Sequence, residues 1–90
     1  MAERQDTQEI RLSISDEVRA VLEKRKILES DIQKVVEFAE RTGTKLLNQR
    51  TGRFLAHHNP AVTVTYWVEY TPVEGEFVIH KAYSHRMEVI

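Results

Sequence analysis

From Val62 to Tyr70 the chain alternates with period two: Val62, Val64, Tyr66, Val68 and Tyr70 are apolar or aromatic, with Thr63, Thr65, Trp67 and Glu69 between them. β-Branched and aromatic residues at that spacing turn one face of a strand to a core and the other to solvent. Pro72 to Gly75 supplies turn residues and Phe77 to Arg86 returns, so Val62 to Arg86 reads as one long β-hairpin. A two-stranded hairpin is marginal in water. The remainder of the chain must therefore cover its apolar face.

With Thr71 opposite Glu76, antiparallel pairing predicts Tyr70 opposite Phe77, Val68 opposite Ile79, Trp67 opposite His80 and Val64 opposite Tyr83. The inner face then reads Val62, Val64, Tyr66, Val68, Tyr70, Phe77, Ile79 and Tyr83. The outer face reads Thr63, Thr65, Trp67, Glu69, Val78, His80, Ala82, Ser84 and Arg86. A one-residue slip would exchange the faces of one strand, so this division rests on the turn.

Two helices are expected to supply the cover. Ser15 followed by Asp16 and Glu17 is a helix start, and Lys24, Arg25 and Lys26 lie at the other end, where the dipole favours cations. Ser30 with Gln33 matches a capping box, and Ile32, Val35, Val36 and Ala39 form an apolar stripe that ends before Gly43. Lys45 to Leu47 and Arg53 to His57 are short strand candidates around a loop closed by Gly52, and Asn59-Pro60 marks a break. Ile10, Leu12 and Ile14 alternate over too short a span to separate a strand from an extended lead-in. The expected fold is α+β: a flexible tail at 1–8, then one domain at 9–90 with two N-terminal helices packed on one face of a three- to four-stranded antiparallel β-meander.

Ninety residues allow one small core, and 41% hydrophobic with 30% charged residues lies far from the signature of disorder. A formal charge of -1 argues against a protein that neutralises phosphates along a duplex, so nucleic acid is disfavoured as a partner. With no cysteine, thiolate catalysis, disulfides, thiolate-ligated clusters and Cys-type zinc sites are excluded on this chain. No apolar run reaches the length of a membrane span, and a soluble, cytoplasmic protein without a membrane partner is expected.

His57, His58, His80 and His85 invite a metal hypothesis, yet the predicted parity places the members of each pair on opposite faces. No metal and no other cofactor is expected. Trp67 is the strongest candidate on the outer face, because a solvent-facing tryptophan among small neighbours has the make-up of an interface hot spot. Trp67, Glu69, Val78, His80 and Arg86 are the expected interface. A competing reading gives His80, Tyr83, His85 and Arg86 a phosphodiester-cleaving role, His or Tyr moving protons and Arg86 holding developing charge. Helices followed by a short meander resemble small bacterial ribonuclease toxins, which depart from this chain in their strong positive charge. A third reading makes Trp67 a stacking platform for a base or flavin ring.

The segments Asn48-Gln49-Arg50-Thr51-Gly52-Arg53-Phe54-Leu55-Ala56-His57, Thr65-Tyr66-Trp67-Val68-Glu69-Tyr70 and Ala82-Tyr83-Ser84-His85-Arg86-Met87 resemble a family of small uncharacterised prokaryotic proteins. That resemblance implies an accessory subunit accompanying flavin and iron–sulfur oxidoreductases, and it transfers no catalytic residue. The expected function is thus a non-enzymatic interaction module that binds a larger protein or a second copy of itself through the outer sheet face.

Overall fold

The alternation at Ile10, Leu12 and Ile14 forms strand β1 (Arg11–Ile14) in the computed structural model, which describes residues 10–61 and 63–86. The tail expected at 1–8 lies outside those residues. Helix α1 (Asp16–Arg25) begins as its sequence predicts, with the Ser15 hydroxyl accepting from the Val18 N–H at 3.2 Å. Lys26 ends it in the left-handed region at φ 60°. Helix α2 (Glu29–Thr42) is capped two residues before the expected Ser30. Leu28 is the cap residue; its side chain accepts nothing, but the Asp31 carboxylate takes the Leu28 N–H at 3.0 Å. Ser30 therefore lies inside the first turn, and Gln33 donates to Glu37 rather than closing a box. Gly43, at φ 77°, stops the helix as expected.

Strands β2 (Leu46–Asn48), β3 (Arg53–Ala61), β4 (Val64–Val73) and β5 (Glu76–Arg86) complete a five-stranded sheet of order β1-β5-β4-β3-β2. The architecture is α+β as expected, with two corrections. The sheet has five strands rather than three or four, and it is mixed, because β1 precedes the helices and runs parallel to β5. Strand β3 also runs through the Asn59-Pro60 pair expected to break the chain, absorbing it in a register irregularity between His58 and Ala61. The β2–β3 loop is held by Asn48, whose side-chain oxygen accepts from the Arg50 and Thr51 N–H groups.

The long hairpin is present, but its register is not the expected one. Val73 pairs with Glu76, leaving a two-residue turn in which Glu74 (φ 40°) and Gly75 (φ 84°) are both left-handed. Positive φ at both central residues is what a type I′ turn requires, and its twist matches the strands. Thr71 thus faces Val78 instead of Glu76, and Pro72 belongs to the strand. The pairing runs from there to Tyr70 opposite Ile79 and then shifts: Glu69 pairs with Lys81, leaving His80 as an extra residue on β5. Beyond this bulge Trp67 lies opposite Tyr83, not His80, and Val64 opposite Arg86, not Tyr83. The slip of two residues at the turn keeps the faces of the strand, whereas the single residue at the bulge exchanges them.

Both helices pack on one side. Ile32, Val35, Val36 and Ala39 are fully buried, as their spacing predicts, and they join Leu22, Ile27, Ala56, Val68, Tyr70, Ile79 and Ala82 in one core. Truncating a member such as Ile32 to Ala would cost about 2–5 kcal/mol. Phe54, Tyr70 and Phe77 form an aromatic row along this inner face, with ring centroids 5.9 and 5.6 Å apart.

Tyr70 has no accessible surface, yet its hydroxyl is partnered, donating to Glu40 Oε2 at 2.7 Å. Lys45 Nζ meets the same oxygen at 2.6 Å and lies 4.4 Å from the Phe54 ring centroid. Desolvation raises the pKa of Glu40, but the hydrogen bonds from Lys45 and Tyr70 and the charge of Lys45 outweigh it and leave the carboxyl below its ordinary 4.5. Burial, the hydrogen bond to Glu40 and its negative charge raise that of Tyr70. Tyr70→Phe keeps the ring and deletes a charge-assisted hydrogen bond, so chemical denaturation at neutral pH should show a loss of about 1–2 kcal/mol. The Glu40 pKa should rise in that variant, because one of its stabilising partners is gone.

Candidate functional site

The face of the sheet turned away from the helices has no second layer among the described residues. Alternation from the core positions assigns to it Leu46 of β2, Arg53, Leu55 and His57 of β3, and Thr65, Trp67, Glu69 and Thr71 of β4. From β5 it takes Val78, Tyr83 and His85, together with Lys81 opposite Glu69. His80 joins them, because its Nε2 lies 2.8 Å from the Thr71 hydroxyl.

Of the expected interface, Trp67, Glu69, Val78 and His80 share this face. Arg86 does not, since it is in phase with buried Ala82 and so belongs to the helix side of the sheet. Ala82 and Ser84 move with it, and Tyr83, expected in the core, moves outward to 36% exposure. The expected ribonuclease set is divided by the same bulge: His80, Tyr83 and His85 lie outward, Arg86 inward. His80 and His85 share a face where opposite faces were expected, while His57 and His58 do separate, His57 stacking on Trp67 and His58 meeting Phe38 at 5.1 Å. Even so, no group of three His, Cys, Asp or Glu side chains among the described residues is placed to hold a metal ion. The Val62 and Met1–Gln8 assignments lie outside the described residues.

At the centre of the face stands a second aromatic row. His57 stacks on Trp67 at 4.7 Å between centroids with planes 26° apart, and Tyr83 lies 6.3 Å from Trp67 on its other side with planes 9° apart. The row crosses β3, β4 and β5, and Trp67 sits on the middle strand of the sheet. Since neighbouring rings flank Trp67 on both sides, an incoming planar ligand would find its stacking positions occupied. Beside the row, Arg53 Nη1 donates to Glu69 Oε1 at 3.2 Å. Leu46 is exposed by 69%, and with partly buried Leu55 it carries the apolar surface to the β2 edge.

Sequence reasoning missed His57 and Lys81 as members of this surface. The Glu74-Gly75 pair could have signalled the tighter turn, because Gly at the second position of a two-residue turn is a hairpin mark. The bulge has no such mark.

Desolvation lowers the pKa of His80, the charge of Arg53 lowers it further, and Glu69 opposes both, leaving the ring below its ordinary 6.5. Comparison with known proteins yields no matching family model, no matching curated protein and no matching solved structure.

A histidine held below its unfolded pKa binds fewer protons when folded, so its contribution to stability is complete above about pH 6.5 and is lost as pH falls toward the folded value. Urea midpoints measured from pH 7.5 down to 5 should fall through that window. His80→Gln, which keeps a partner for Thr71, should flatten the decline.

Proposed function

We propose that this chain is a non-enzymatic interaction module that docks on other protein surfaces through the outer face of its sheet. The carrying observation is the His57–Trp67–Tyr83 row on a sheet face that the helices leave uncovered. Fixed aromatic rings at the middle of a surface, ringed by hydrogen-bonding and charged side chains, have the anatomy of an interface centre and rim. The rings are held by one another, so little side-chain freedom remains to be lost on docking.

The resemblance to small accessory proteins of flavin and iron–sulfur oxidoreductases is consistent with such a role and would make the module a subunit rather than a redox centre. A ribonuclease-like activity would need a cation beside its proton donors, and Arg53 and Lys81, both beside Glu69, are the groups on the right face to supply it. Arg53 is instead engaged by the Glu69 carboxylate, which favours docking. The purified chain should leave a labelled single-stranded RNA uncut; turnover abolished by His80→Ala would support the enzymatic reading instead.

Docking is tested by a photoreactive phenylalanine analogue placed at Tyr83 or at Leu46 on the outer face, with the exposed Lys34 of α2 as the control. Covalent protein adducts in cells are expected from the first two positions and not from the third. Equal adduct yields from all three would remove the reason to single out this face.

A further inference from the structure

Building on the docking reading, we infer that the occupant of the outer face is a second copy of this chain, packed sheet against sheet about a two-fold axis that passes close to Trp67. Three observations select a second copy over a partner of other chemistry.

The area is the first. The strands contain 4, 3, 9, 10 and 11 residues. At about 3.3 Å rise and 4.8 Å strand spacing they define a sheet plane on the order of 600 Å² per copy before side-chain relief is added. Two such faces together reach about 1,200 Å², the lower bound of a stable specific interface, with side-chain relief carrying the total further into that range.

The charge is the second. The strands place Arg11, Arg53 and Lys81 on this face against Glu69 and Glu76, and Arg53 is already paired with Glu69. A nearly balanced surface meets its own copy without strong repulsion. A surface for nucleic acid or for an acidic protein would carry a large excess of cations.

Position is the third. In an isologous interface each patch meets itself, and residues at the axis meet their own copies. Trp67, on the third of five strands and at the middle of the aromatic row, is the residue that such an axis would bury most deeply. Face-to-face sheets pack about 10 Å apart with interdigitating side chains, and a row of rings with Thr65 on one side of Trp67 and Glu69 on the other supplies that relief.

Light scattering of the full chain over a concentration series is the test, with acrylamide quenching of Trp67, its single tryptophan, followed in the same samples. The wild type should approach twice the single-chain mass at concentrations above about 10 µM, with quenching falling as the mass rises. Tyr83→Lys sets like charges across the axis and should weaken association by about tenfold or more. Leu46→Lys, at a far more exposed position, provides a second variant should Tyr83→Lys fold poorly. Lys34→Glu on the helix side should leave the mass unchanged.

A single-chain mass at every concentration would overturn the second copy. Docking itself would survive if the Tyr83 and Leu46 crosslinks led to a different polypeptide, and would fall if they vanished or did not exceed the Lys34 yield. A dimer that persists undiminished in both lysine variants, with Trp67 still quenched freely, would move the interface off this face and overturn the inference as well.

Discussion

Ile32, Val35, Val36 and Ala39 are sealed from solvent in the same cluster as Val68, Tyr70 and Ile79, and that apolar contact decides which side of the sheet is inside. Two helices of 10 and 14 residues are the whole of the apolar cover that the described residues supply. A layer of that size spans one face of a five-stranded sheet and no more. Antiparallel strands tolerate this, since one face can be core while the other stays wet or meets a partner. The half-buried position of Trp67 on the outer face is thus a consequence of where the helices lie, and not a local accident of its own strand.

How much of this the sequence discloses depends on whether a feature is periodic. The α2 stripe repeats at helical spacing, and each of its four members is buried; Ser15 and Gly43 carry their capping chemistry in their own side chains or lack of one. Ser30 misleads because a serine is tolerated inside a first turn, where Asp31 can perform the capping through its carboxylate. Strand faces are legible as far as the bulge. From Val78 to Tyr83 the residues run in like pairs, Val78-Ile79, His80-Lys81 and Ala82-Tyr83, so period two is lost and the sequence does not say which residue is the inserted one. Tyr83 and Arg86 consequently change places between the two faces, which turns a suspected core tyrosine into part of the surface and takes a suspected catalytic arginine away from it.

The two aromatic rows lie back to back on the same three strands. Phe54, Tyr70 and Phe77 form the inner row, locked by the core and by the Tyr70 hydrogen bond to Glu40; His57, Trp67 and Tyr83 form the outer one. Cross-strand aromatic pairs stabilise the sheet they stand on. The outer row therefore strengthens the scaffold while its unburied edges remain available to a neighbour. At the β5 edge, where β1 reaches only as far as Ile79, Arg25 donates to the Ala82 carbonyl at 2.8 Å. A side chain there takes an acceptor that an adding strand would otherwise use, which directs association toward the face and away from the edge.

The parallel pairing of Arg11 with Glu76 and Ile14 with Ile79 joins the first strand to the last. During synthesis β1 and both helices are made before β5, and the α2 stripe has no sheet to cover until β3 and β4 follow. Pairings so distant in sequence must pay loop-closure entropy before they gain contacts, which slows folding and leaves apolar surface open meanwhile. The nascent chain should accordingly hold apolar segments open to chaperones for longer than its small size would suggest.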